Sequence, residues 1–122
     1  MYFRRWNTQL KQVGSVSGGT GSWGEYTATI ASDIITIGNP GIYCLTPEGG
    51  AADELKTING GNAGDEIILY AADSINTITV KHGTGNIYIG ADFSLDHADD
   101  MLRLIKRSDG KWRGGGINDN NA

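Results

Sequence analysis

The sequence predicts an all-β protein: an antiparallel β-sandwich of the jelly-roll kind, with about eight or nine short strands and an extended N-terminal arm. From residue 25 onward, apolar and β-branched residues alternate with polar ones at a period of two rather than at the helical period. Turn signals recur about every eight to twelve residues, a spacing typical of sandwiches and barrels. The 122-residue chain also contains 19 glycines and only 2 prolines, which indicates many tight turns between short strands.

The first element is the N-terminal arm, which its charge separates from the rest of the chain. Residues 1–24 contain three cations and no acidic residue, whereas residues 25–122 contain seven Lys or Arg and 14 Asp or Glu. The arm therefore carries +3 and the remainder −7. Residues 14–22 are mostly Gly and Ser, the composition of a flexible linker. We assign residues 1–24 to a basic and aromatic arm with its linker, and residues 25–122 to a β-sandwich knob.

The strands of the knob follow from its apolar runs. They are expected at residues 26–30, 35–37, 41–45, 67–70, 75–80, 87–89, 93–95 and 101–105, with Trp112 after the last turn. Asp109-Gly110 is a candidate type I′ hairpin turn, and Asn59-Gly60 offers a left-handed turn position. One helical signal covers residues 51–56, about one and a half turns. Another covers residues 96–105, whose second half we assign to a strand because it runs into the hairpin turn.

Composition excludes several classes of function. The formal charge of −4 and the pI of about 4.9 argue against nucleic acid and anionic membranes as partners. No apolar run approaches the roughly 18 residues that a membrane-spanning helix needs. The single cysteine, Cys44, allows neither an intramolecular disulfide nor a cysteine-based zinc cluster, and its apolar neighbours predict a buried, inert thiol.

The acidic segment Asp92–Asp100 is the strongest candidate for metal binding or catalysis, because it gathers four carboxylates around His97. Such a cluster could hold a calcium ion, which takes six to eight oxygen ligands, but turn-forming aspartates explain it more simply. A carbohydrate-active enzyme would need two carboxylates about 5 to 10 Å apart, here Asp96 with Asp99 or Asp100. The chain has no recognisable catalytic triad or paired histidine ligands, so we predict a protein that is not an enzyme and that uses no cofactor or metal.

The composition of the arm predicts a binding segment. Tyr2, Phe3 and Trp6 are three aromatic residues within the first six, and Arg4 and Arg5 lie between them. Aromatic residues and arginine are the types most enriched at energetically important positions of protein interfaces. We therefore expect the arm to dock on a partner.

Several blocks of the knob occur in a distinctive order. They are Thr46–Gly61, Gly64–Leu69, Thr79–Ile87, Asp92–Asp96 and the final hairpin Asp109–Trp112. This succession, over a little more than half of the chain, resembles a module that recurs in virion proteins of tailed bacteriophages. Members occur in capsid decoration, head-fibre and tail-fibre proteins. The resemblance implies a β-rich, trimeric knob with a structural role.

The short chain and its basic arm favour a capsid decoration, or cement, protein within that group. We expect a homotrimer on the outer capsid surface of the virion, bound to the major capsid protein through the arm and stabilising the shell. The expected contacts are Tyr2, Phe3, Arg4, Arg5 and Trp6. The alternative is a head- or tail-fibre knob that recognises host-surface glycan, with Trp23, Tyr26, Trp112 and the segment Asp92–Asp100 as candidate contacts.

Overall fold

The computed structural model describes residues 23–50 and 52–120, and in this part nearly every element is a β-strand. The eleven strands are β1 (Gly24–Thr29), β2 (Ile34–Thr36), β3 (Gly41–Thr46), β4 (Asp53–Leu55), β5 (Thr57–Asn59), β6 (Glu66–Ala71), β7 (Ile78–Val80), β8 (Ile87–Tyr88), β9 (Phe93–Leu95), β10 (Met101–Lys106) and β11 (Trp112–Asn118). A single 3₁₀ turn, Glu48–Gly50, is the one helical element of these residues. The predicted all-β class is confirmed.

The strands form three sheets. The largest has six strands in the order β1-β3-β6-β10-β11-β8, the second has the order β9-β7-β4, and the third pairs β2 with β5. Five of the eight strand pairs are parallel, namely β1–β3, β3–β6, β2–β5, β4–β7 and β11–β8. The other three, β6–β10, β10–β11 and β7–β9, are antiparallel.

The predicted antiparallel pairing of a jelly roll is therefore wrong for most of the sheet pairs. The error has a simple physical cause: side chains alternate between faces in every strand, so a period of two carries no information about strand direction. Parallel partners are instead joined by crossover connections: β2 lies between β1 and β3 in the sequence, and β4 and β5 lie between β3 and β6. In-register rows result, such as Tyr26 beside Tyr43 and Tyr43 beside Leu69.

Two turns show how local geometry directs the strands. Ser32 and Asp33 have φ values of 53° and 66°, and Ala31 and Ile34 exchange both backbone hydrogen bonds, so these four residues form a type I′ turn. At Asp109-Gly110, where the sequence predicts a type I′ turn, only Gly110 has positive φ, 83°, and its N–H donates to the carbonyl of Arg107. This arrangement is a type I turn followed by a glycine bulge. The hairpin of β10 and β11 is confirmed, but its turn type is not.

One hydrophobic core joins all three sheets. Trp112 is the largest of its fully buried side chains, and Leu104, Leu69, Leu55 and Ile58 are likewise fully buried. The helix considered for residues 51–56 is not formed: β4 pairs with β7 instead and turns Leu55 into the core. The strand assigned to the second half of residues 96–105 is confirmed as β10.

Candidate functional site

The five predicted contact residues of the arm, Tyr2, Phe3, Arg4, Arg5 and Trp6, lie outside the described residues. The boundary between arm and knob near residue 24 likewise stays a prediction. The candidate surfaces that the structure can place are therefore those of the body, residues 23–50 and 52–120. No helix in this part of the chain is long and apolar enough to cross a bilayer.

The structure separates the three aromatic residues considered for glycan binding. Trp112 has no exposed surface and packs in the core, so it cannot contact a glycan, and that assignment is wrong. Tyr26 packs partly buried against the core, with its ring centroid 5.1 Å from that of Tyr43. Only Trp23, which is 50% exposed, presents a large aromatic surface to solvent. An aromatic residue that follows a hairpin turn can be either buried or exposed, so the burial of Trp112 could not be predicted from the sequence.

The structure also separates Asp92 from the other aspartates of the acidic segment. Asp92 forms an ion pair with Lys81, with 2.8 Å between Oδ2 and Nζ, and accepts the backbone N–H of His82 at 2.8 Å. The Lys81 side chain and then the His82 N–H lower the pKa of this carboxyl group. Asp92 therefore ties β9 to the end of β7 rather than joining the other aspartates in one ligand set.

Asp100 is fully buried and organises the loop before β10. Its Oδ2 accepts the backbone N–H groups of Asp96 and His97 at 3.2 and 3.1 Å, and its Oδ1 accepts that of Asn120 at 2.7 Å. Burial alone would raise the pKa of Asp100, but these donors, with the Asp96 side chain, outweigh it and lower the pKa. A substrate cannot reach this carboxylate, so Asp100 does not suit the catalytic pair considered above.

Asp96, Asp100 and Asp119 together could offer oxygens to a metal ion. One carboxylate oxygen from each lies within 4.8 Å of the others. Asp96 Oδ1 is buried and makes no hydrogen bond. Three carboxylates are fewer ligands than calcium takes, and both oxygens of Asp100 already accept backbone N–H groups. The sequence missed Asp119, because its contribution depends on β11 bringing residue 119 back to this loop.

The cations near the last hairpin are largely bound by groups of the same chain. Arg103 forms an ion pair with Glu66. Lys106 Nζ donates to the carbonyls of Gly60 and Gly61 at 3.0 and 3.1 Å. Lys111 Nζ lies 4.9 Å from the centroid of the Tyr88 ring, a cation–π distance. This end of the molecule is therefore not a concentrated basic patch.

Asp109 and Arg113 form an ion pair within that hairpin. Arg113 donates from Nη2 to Asp109 Oδ2 at 2.9 Å and from Nη1 to Oδ1 at 3.3 Å. These bonds, followed by the backbone N–H of Lys111, lower the pKa of Asp109 to about 2. The pair stays ionised over the whole physiological range and holds the turn between β10 and β11.

The six-stranded sheet carries a further exposed surface. We call it the outer face: the side of β1, β3, β6 and β10 turned away from the core. Its side chains include Glu25, Thr27, Ile42, Cys44, Glu66, Ile68, Tyr70, Arg103 and Ile105, all at least partly exposed. The signal in the sequence was the unbroken apolar run of residues 41–45 and of residues 67–71, which supplies apolar residues to both faces of β3 and β6.

Cys44 lies on this outer face and is half-buried rather than enclosed in the core, which corrects the predicted burial of its thiol. Next to it, Tyr70 donates its hydroxyl to Glu25 Oε2 at 2.7 Å. That hydrogen bond, followed by partial burial and by the neighbouring Cys44, raises the pKa of Tyr70. Tyr70 is therefore a neutral donor that orients the Glu25 carboxylate.

An apolar groove of about 300 Å³ opens between β9 and the end of β11. Ile89, Phe93 and Ile117 line it, with Asp92 as its only charged residue. Ile117 is 62% exposed. β8 pairs only with Trp112 and Arg113, so in the described structure it leaves the rest of that edge of β11 uncovered.

No family model matches the chain, and no curated protein matches it.

Proposed function

We propose that this protein is a bacteriophage capsid decoration protein, a homotrimer that binds the outer surface of the shell through its N-terminal arm and stabilises it. The observation that carries the proposal is the division of charge and aromatic residues along the chain: +3 on the arm and −7 on the remainder. The resemblance of residues 46–112 to virion modules of tailed phages supports the same conclusion. An arm of opposite sign gives a body of this kind a defined orientation on an acidic surface.

The contacts within the body add to this support. Six of its seven cations have partners in the same chain: Lys56, Lys81, Arg103 and Arg113 in ion pairs, Lys106 on backbone carbonyls and Lys111 over an aromatic ring. Several acidic residues remain exposed, among them Glu25, Glu48 and Asp99. The body would therefore be repelled by an acidic shell and face outward, while the arm supplies the attraction.

Each part of the arm has a separate task in this proposal. Tyr2, Phe3 and Trp6 would insert into apolar hollows between capsid subunits, and Arg4 and Arg5 would pair with carboxylates around them. Three arms on one trimer raise the overall affinity, because the second and third arms bind at a high effective concentration. Each trimer would then hold neighbouring capsid subunits together. No catalytic step is involved.

Deletion of residues 1–13 tests the role of the arm. The truncated protein should no longer bind purified capsids in a sedimentation assay, and it should keep the strand signal in circular dichroism and the number of chains per oligomer of the full-length protein. The full chain with Arg4→Glu and Arg5→Glu should bind weakly, and its binding should depend little on salt. Decoration at full occupancy by the truncated protein would show that the arm is not the binding segment.

A fibre knob that recognises host-surface glycan is the second candidate. The half-exposed Trp23 favours it, because saccharide rings commonly stack on exposed indoles, and the groove beside Asp92 offers a second contact surface. A glycan array with the full chain and with Trp23→Ala decides this point. Binding to a saccharide that the variant loses would support the fibre knob over the decoration protein.

A further inference from the structure

We propose that the outer face of the six-stranded sheet is the surface through which copies of this chain bind one another. The inference rests on the self-association in the proposed function, but not on capsid binding. The surface is apolar at its centre, with Glu25 at one end and Arg103, paired with Glu66, at the other. Its occupant is the same face of the other two copies in the proposed homotrimer.

In the described part of the chain, no other element covers the outer face. Parallel strands normally occur in sheets that are covered on both faces, and their sequences are correspondingly apolar throughout. β1, β3 and β6 are parallel neighbours, and Ile42 and Ile68 are adjacent in register on their outer side. Both side chains remain partly exposed, and so does Ile105 on β10, at 36%. Within residues 23–50 and 52–120, the face is thus apolar without being buried.

The order of charged and apolar side chains on the outer face suits other copies of the same chain. Across four adjacent strands the register places Glu25, Ile42, Ile68 and Arg103 in one row. The row has an acid at one end, a base at the other and two isoleucines between them, over about 14 Å at the usual spacing of strands. In the proposed homotrimer, three copies would turn this face towards a three-fold axis. The Glu25 end of one copy then meets the Arg103 end of the next, and isoleucines meet isoleucines.

The charged side chains at both ends of the row, Arg103 and Glu25, are accessible to another copy. Arg103 is 53% exposed while paired with Glu66, and a guanidinium has five donors, so it can bind a second carboxylate. Glu25 is held by the Tyr70 hydroxyl and is exposed. Gly115 lies beside Arg103, and a Cβ there would be 3.3 Å from Arg103 Cγ. The missing side chain leaves room for the arginine to lie flat on the sheet.

Light scattering on the full chain tests the surface. The wild type should have three times the mass of one 13.0 kDa chain, and Ile68→Lys should lower it to 13.0 kDa. Ile75→Lys is the matched control: Ile75 is 84% exposed in the connection between β6 and β7, and its variant should keep the wild-type mass. A monomeric wild type, or an Ile68→Lys variant of wild-type mass, would overturn the proposal.

Cross-linking tests it without disturbing the apolar centre, in case Ile68→Lys does not fold. Glu25→Cys and Arg103→Cys are made separately in a Cys44→Ser background, mixed and oxidised. We expect a disulfide between the two chains, several-fold more than in a mixture of Glu25→Cys with Ile75→Cys. Within one chain these positions are about 14 Å apart, too far for a disulfide.

Equal yields in the two mixtures would overturn the assignment of the surface. Loss of capsid binding with the disulfide retained would count against the proposed function alone.

Discussion

Replacement of Asp100 by asparagine should destabilise the body far more than its single-atom change suggests. Asp100 is fully buried, and its two oxygens accept three backbone N–H groups. An asparagine amide keeps one oxygen. Even if that oxygen faces the N–H groups of Asp96 and His97, the new NH₂ group faces the N–H of Asn120, so a donor meets a donor.

The expected loss is about 2 to 4 kcal/mol in the free energy of unfolding. One lost hydrogen bond to a charged group accounts for about 1.5 to 3 kcal/mol, and the other two bonds weaken because the acceptor becomes neutral. The matched control is Asp99→Asn, which makes the same chemical change on an exposed neighbour, and it should stay within about 0.5 kcal/mol of the wild type.

Urea unfolding at pH 7 and at lower pH provides the assay. The native pKa of Asp100 is lowered from 3.8, so its carboxylate contributes stability above the unfolded pKa, and that contribution disappears as the pH falls through the native pKa. The difference between wild type and Asp100→Asn should therefore shrink below about pH 4. A variant as stable as the wild type at pH 7, or a difference that does not change with pH, would refute this reasoning.

Three further predictions concern the core, a turn and a charge pair. Trp112→Ala should cost about 3 to 5 kcal/mol in urea unfolding, because the largest buried side chain leaves a cavity; a loss under 1 kcal/mol would contradict its burial. Gly60→Ala should cost at least about 1 kcal/mol more than Gly64→Ala, since both have a φ near +90° but only at Gly60 would a Cβ meet a carbonyl oxygen, at 2.1 Å. Equal losses would show that the contact is relieved. NMR titration should give Asp109 a pKa of about 2, rising towards 3.8 in Arg113→Gln, and any stability that the pair contributes should fade as the pH falls through the lower value. An unchanged pKa in the variant would exclude Arg113 as the cause.

The positions of most strands could be predicted from the sequence, but their directions could not. Alternation fixes which residues share a face, and β10 and its hairpin with β11 lie where the sequence indicates. Direction depends on connections between strands that are distant in sequence. For residues 51–56 the type of element was predicted wrongly. Their composition favours a helix, but the pairing of β4 with β7 and the burial of Leu55 stabilise a strand instead.

The candidate surfaces were predictable only in part. The acidic segment was visible in the sequence, but the structure separates Asp92 from Asp96 and Asp100 and adds Asp119 from the other end of the body. The outer face had a signal in the apolar runs around Cys44 and Tyr70. That signal becomes informative only once β3 and β6 are known to be neighbours in a single sheet, because an apolar run alone is equally consistent with a strand buried on both sides.

Quantitative mass spectrometry of purified virions, with the major capsid protein as the internal reference, tests the proposed function most directly. We predict a ratio that approaches one copy per capsid subunit, or one trimer per local three-fold position of the shell. Tens of copies or fewer per particle would contradict a decoration protein and favour the fibre knob. Complete absence from virions would contradict both.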